Sequence, residues 1–179
     1  MIAGLDAATV SGWCLPTKGG TYLTGEWDFT PKPAAPTKGR GPEPEGLRFL
    51  KMYQHLTSLI QVHGIKGLIL EQAFSKSRRA SEVLSGFAAV VEVVCHLNNV
   101  EYMFISASTL KAFGRKLGIA TVEVPGNKRE ETKESMKEGM RVQACADLGR
   151  VVTDNEADAY WLVRYYEAHA APPEQTSLV

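Results

Sequence analysis

Residues 1–15 read MIAGLDAATVSGWCL. A short apolar run ends in a carboxylate, Asp6, passes through small residues and gives way to a second apolar run. Both runs have the length and apolar character of strands, and no cationic residue neighbours Asp6 in the chain. A carboxylate at the end of a buried strand needs a partner, because unpaired charge away from water is expensive. That partner has to come from a distant segment.

Reading outward, TYLTGEWDF (residues 21–29) is reached through a Lys18-Gly19-Gly20 turn, so strands at 2–7, 11–16 and 21–29 form an antiparallel meander. Residues 30–46, TPKPAAPTKGRGPEPEG, are rich enough in proline and glycine to predict an extended, mobile loop. Leu47, Leu50, Tyr53, Leu56, Leu59 and Ile60 recur at helical spacing and predict a helix over 47–63, stopped by Gly64. KGLILEQ (66–72) is a buried strand ending in a second acid, Glu71. A largely buried helix over 80–97 follows, then VEYMFIS (100–106) as a strand. STLKAFGRKLG (108–118) is a helix capped by Ser108 or Thr109, and two further helices cover about 128–148 and 155–169. This order predicts an α/β fold with a mixed sheet, antiparallel in its first three strands and parallel thereafter. One domain over 1–170 and a tail at 171–179 account for the chain.

A chain of 179 residues, 44% hydrophobic, can bury one sizeable core. Its 20 basic and 20 acidic residues leave no net charge, so charge balance selects no class of partner. Cys14, Cys95 and Cys145 lack metal-ligand spacing and read as core residues in a reducing cytoplasm, not as a disulfide framework or zinc site. With no secretory leader and no apolar run approaching a membrane span, the expectation is a soluble protein without a membrane partner.

Asp6 and Glu71 both end predicted strands, where α/β sheets place ligand-binding and catalytic groups. On neighbouring strands they would lie roughly 5 Å apart and repel unless a cation intervened. In TDNEADAYWLV (153–163), Asp154 and Asp158 are four apart and share one helix face, with Asn155 three before Asp158. Oxygen ligands gathered from distant segments suit magnesium or manganese, and the pattern predicts a metal-dependent hydrolase. Taken singly, the acids have structural alternatives: a turn for Asp6, a pair with Arg78 for Glu71, a helix N-cap for Asp154. Asp158 stands apart, since it would bring charge into an apolar helix face.

GLDAATVSGWCL, LILEQAF and NEADAYWLV, in this order and spacing, resemble the RuvC family of Holliday junction resolvases within the RNase H-like superfamily, and most of all its smaller phage and bacterial members. The resemblance implies a dimeric, Mg²⁺-dependent endonuclease that nicks symmetrically related strands of a four-way DNA junction, using two ions per site, for which Mn²⁺ substitutes. Asp6, Glu71 and Asp158 match the family's first, second and last acids. Asn155 stands where the family places its remaining ligand, three residues before the last acid, and Asp154 beside it is the alternative.

Phe74 matches an aromatic of the family that stacks at the strand-exchange point, and a base stacked on it would contribute about 1 to 3 kcal/mol. Lys76, Arg78 and Arg79 are placed to contact phosphates. Lys111 and Lys133 match two lysines that face the phosphate. The implied setting is a bacterial cytoplasm, for a bacterial or phage-encoded protein without a nucleotide cofactor. Two other readings compete: a non-catalytic module that binds branched DNA, and a fragment of an actin-like ATPase or sugar kinase, whose phosphate loop also opens with Asp and small residues.

Overall fold

The computed structural model describes residues 1–32, 44–72, 77–125 and 132–170. Alternation along β1 (Ile2–Asp6) decides which way the first acid faces. Ala3, Leu5 and the following Ala7 are buried among residues of α1 (Glu45–His63) and α2 (Arg78–Leu97), so Gly4 and Asp6 face the opposite side. That side is covered by α3 (Ala107–Lys116), α4 (Met136–Leu148) and α5 (Asp154–His169). The result is three layers: two helices, a five-stranded sheet and three helices.

The sheet has the order β3-β2-β1-β4-β5, with β2 at Val10–Pro16, β3 at Tyr22–Asp28, β4 at Gly67–Glu71 and β5 at Glu101–Ile105. β1–β2 and β2–β3 are antiparallel; β1–β4 and β4–β5 are parallel. This mixed, helix-flanked sheet is the RNase H-like architecture expected from the sequence. The register lines up Asp6 with Gly12 and Gly12 with Glu26, while Leu5 pairs with Leu70, one residue before Glu71. Laterally paired residues share a face, so Asp6, Gly12, Glu26 and Glu71 all face the α5 layer.

Helix α5 crosses this face at backbone distance. A methyl group added at Gly4 would overlap the carbonyl oxygen of Ala159, and one at Gly12 would overlap the carbonyl of Asn155. Two glycines therefore let α5 lie directly on β1 and β2, which brings Asp158 to the end of β1. Trp161, Tyr160 and Leu162 on α5 are almost completely buried and anchor it.

Several local features differ from expectation. Residues 122–125 and 132–135 form a separate antiparallel hairpin, β6 (Val122–Pro125) and β7 (Thr132–Ser135), so α4 starts at Met136 instead of near 128. The Lys- and Glu-rich sequence there favours helix by propensity, but pairing with Val122–Pro125 overrides it. The cap of α3 is Ser106, whose side chain accepts from the Thr109 N–H, and not Ser108 or Thr109. The cap of α5 is Thr153, in a reciprocal capping box with Glu156, which frees Asp154 from that role.

Helix α2 is, by length and composition, apolar enough to cross a membrane, contrary to the expectation that no segment approaches a span. Here Phe87, Val91, Val94 and Cys95 bury one of its faces in the core, while Val93 and Leu97 are exposed. Most of the loop expected at 30–46 and the tail at 171–179 lie outside the described residues, and Glu45 and Gly46 already belong to α1.

Candidate active site

Three acids from separate elements meet on the α5 face. Asp6 is half-buried at the end of β1, Glu71 half-buried at the end of β4, and Asp158 lies in the second turn of α5. Burial raises the Asp6 carboxyl from 3.8 to about 7, and the neighbouring charges of Asp158 and Glu71 push it the same way. Burial also raises Glu71, with repulsion from Asp158 adding to it. Asp158 is raised by burial as well, which the nearby lysines offset only in part. Such mutual repulsion is the electrostatic signature of a cluster that needs positive charge to be stable.

A lysine that sequence reasoning passed over supplies part of that charge. Lys137, in the first turn of α4, donates from Nζ to Asp158 Oδ2 at 2.7 Å and lies 4.0 Å from Asp154 Oδ2. Burial disfavours its ammonium, but the attraction of Asp158, Asp154 and Asp6 outweighs that and raises its affinity for the proton. It also lowers Asp6 and Glu71. Lys111, exposed on α3, lies close enough to lower both Glu71 and Asp158.

The two candidates for a fourth ligand diverge. Asp154 turns toward α4, between Lys137 and Arg141, whose Nε is 3.4 Å from Asp154 Oδ1. Asn155 instead donates its side-chain amide to Glu26 on β3 at 3.0 Å, and Thr153 Oγ1 donates to the same Glu26 oxygen at 2.6 Å. Glu26, a further residue that sequence reasoning missed, thus fastens the start of α5 to the sheet. Glu156, although acidic and buried, is committed elsewhere: it accepts from the Thr153 N–H, from Thr24 Oγ1 and from Arg150. The signature Thr153-x-x-Glu156 could have pointed to this cap in place of Asp154; the pairing of Glu156 with Thr24 and Arg150 has no such local signal.

Around the acids, Arg79 lines a cleft with Thr9, Val10, Arg48, Ser77 and Asn155. Arg78, at the start of α2, is highly exposed and paired with Glu82. Lys133 lies on β7 opposite Val124, and its side chain is outside the described set. Phe74 and Lys76 are outside the described residues altogether.

Among the described residues, no three Asp, Glu, His or Cys side chains are already arranged to hold one metal ion. The donor set nevertheless fits a hard divalent cation: it is all carboxylate, and its members repel one another for want of positive charge. One carboxylate oxygen of Asp158, Oδ2, is held by the ammonium of Lys137.

No protein-family model and no curated protein matches the chain. Among solved structures, RuvC of Thermus thermophilus in complex with Holliday junction substrate is similar with a TM-score of 0.64 at 13% identity, over 94% of this chain and 96% of that one. The fold is that of the RuvC resolvases. A second Thermus thermophilus RuvC structure gives a TM-score of 0.62 at 13% identity, over 93% and 95% of the two chains. The yeast mitochondrial Holliday junction resolvase Ydc2 is similar at 0.53 and 9% identity, over 90% of this chain and 75% of its own. The likeness to RuvC runs along nearly the whole of both chains.

Proposed function

We propose that the protein is a divalent-metal-dependent endonuclease that cuts four-way or otherwise branched DNA. The observation that carries this reading is the convergence of Asp6, Glu71 and Asp158 from β1, β4 and α5, where burial and repulsion raise all three carboxyls. The RuvC-like fold supports the same chemistry and substrate class.

Asp6, Glu71 and Asp158 would hold two Mg²⁺ ions, with Mn²⁺ able to replace them, and Asp154 is favoured over Asn155 as the remaining ligand because it is anionic and shares the Lys137 cation with Asp158, while the neutral Asn155 reaches to Glu26. Bound there, the ions would supply a nucleophilic water at neutral pH and stabilise the leaving oxygen of the phosphodiester. The chain's own groups do the rest. Lys111 adds positive charge beside Glu71 and Asp158, where a phosphate would sit, and Arg78 and Arg79 at the start of α2 offer contacts that hold the DNA backbone without reading its sequence. Phe74, Lys76 and Lys133 are proposed as further DNA contacts from their place in the sequence.

A four-way junction offers two equivalent strands, which suits a symmetric pair of subunits. Tyr102 and Phe104 on β5, together with Val93 and Leu97 on α2, expose apolar surface and are the proposed contact between them. A cytoplasmic setting is in keeping with the free thiols of Cys14, Cys95 and Cys145.

The test is nicking of a synthetic four-way junction, compared with linear duplex and a flap, with and without Mg²⁺. The parental protein should cut the branched substrates only with the metal, and Asp6→Asn should retard the junction in a gel without cutting it. Junction binding with no metal-dependent cleavage by the parental protein would favour the binding-module reading instead. Cleavage by Asp6→Asn at the parental rate would remove Asp6 from the chemistry.

A further inference from the structure

Among the described residues, Lys137 is the cation in direct contact with the acid cluster, through Asp158. Its Nζ lies 2.7 Å from Asp158 Oδ2 and 4.0 Å from Asp154 Oδ2, and its charge acts on Asp6 and Glu71 as well. It is thus coupled to all four acids, whereas Lys111 influences Glu71 and Asp158 without a contact to either among those the structure defines. The Lys137 side chain is 44% exposed against 18% for Asp158, so the carboxylate is fixed within the fold and the ammonium can swing toward solvent. The lysine stem carries four rotatable bonds, and its anchor, the first turn of α4, follows directly on the β7 strand.

We propose that Lys137 is a built-in counter-ion that a divalent metal must displace from Asp158, so that the lysine sets the threshold metal concentration at which the site assembles. This rests on the metal-dependent reading above and adds a regulatory element to it. An ammonium 2.7 Å from Oδ2 and a divalent cation on the same carboxylate repel each other as like charges, and a charge-assisted bond to a largely buried carboxylate is among the stronger side-chain interactions. The lysine therefore keeps the acid cluster tolerable when the ion is scarce and competes with it when the ion arrives. A monovalent group is outcompeted by a divalent one once the ion is abundant, which makes occupancy depend on concentration over a defined range.

The experiment is a calorimetric titration of Mn²⁺ into the full-length protein without DNA, for the parental chain, Lys137→Met, Lys111→Met and Asp6→Asn, with melting temperatures recorded with and without Mn²⁺. Lys137→Met should bind Mn²⁺ on the order of tenfold more tightly. It should also melt lower than the parent in chelator and regain more than the parent does when Mn²⁺ is added. Lys111→Met should change the affinity much less, because it removes a nearby charge but no contact. Equal gains in the two lysine variants would reduce the effect to general electrostatics and overturn the displacement, as would an unchanged affinity in a folded Lys137→Met. If the parental protein binds no Mn²⁺, or Asp6→Asn binds it as well as the parent, the metal site itself is misassigned and the displacement falls with it. Lys137→Gln, which retains a polar head, serves as the second variant should Lys137→Met fail to fold.

Discussion

Replacing Gly12 with alanine tests whether the close approach of α5 to the sheet is what assembles the acids. Gly12 is the lateral neighbour of Asp6 in the sheet. A methyl group there would lie 2.7 Å from the Glu156 backbone nitrogen and nearer still to the Asn155 carbonyl. Restoring ordinary contact at 3.4 Å to the Glu156 nitrogen alone takes a retreat of 0.7 Å, the nearer Asn155 carbonyl demands more, and the obstructing atoms are all backbone, so no side-chain rotation relieves the clash. The retreat pulls against the capping box of Thr153 and Glu156 and the bonds of Thr153 and Asn155 to Glu26.

Overpacking of this kind costs roughly 1 to 3 kcal/mol. With a rigid backbone on both sides the upper part of that range applies, which for a chain of this length lowers the melting temperature by roughly 4 to 12 °C. Function should suffer more than stability, because Asp158 is carried on the displaced helix while Asp6 and Glu71 stay with the sheet. A misplacement of about 1 Å can cost on the order of a hundredfold in rate. Thermal denaturation followed by circular dichroism reads the first effect, and Mg²⁺-dependent nicking at a temperature where the variant is folded reads the second. A Gly12→Ala protein that melts with the parent and nicks at the parental rate would refute the argument that α5 is held at backbone distance.

The raised Asp6 carboxyl gives a pH dependence of defined sign. Its folded-state value of about 7 lies above the ordinary 3.8, so its contribution to stability is fully present below about pH 3.8 and is lost as the pH rises through about 7. The shift corresponds to a loss on the order of 4 kcal/mol. In chelator, Asp6→Asn should therefore melt above the parent at pH 8, with the gap closing toward pH 4; a gap that does not change with pH would contradict this. The different engagements of Asp154 and Asn155 make a further prediction, that Asp154→Asn weakens Mn²⁺ binding in calorimetry several-fold while Asn155→Ala leaves it nearly unchanged. The reverse order would make Asn155 the ligand, through the side-chain oxygen that its bond to Glu26 leaves free of that contact.

The strands and their order were legible in the sequence because the apolar pattern of a strand is local. The alternation in IAGLD and GLILE already places Asp6 and Glu71 on one face once β1 and β4 are neighbours, and the apolar setting of Asp158 marked it as an acid without a local reason. The cap of α5 was misplaced by one residue, since Asp154 is as good a capping residue type as Thr153 and only the reciprocal bonds with Glu156 select the latter. The β6–β7 hairpin was not, since its residues favour helix when judged one at a time and form strands only by pairing with each other.

The details of the site depended on packing between distant segments. Lys137 reaches Asp158 across 21 residues of sequence, and Asn155 reaches Glu26 across 129. Nothing in the local spacing of KESMKEGM marks Lys137; the packing of α4 against α5 brings it to Asp158. The sequence by itself determined which carboxylates could gather and on which layer of the sheet, because strand alternation and helix periodicity are properties of the local chain. The tertiary structure alone decided which cation meets them and that Asp154, not Asn155, shares it with Asp158, because side-chain pairing depends on where separate elements come to rest.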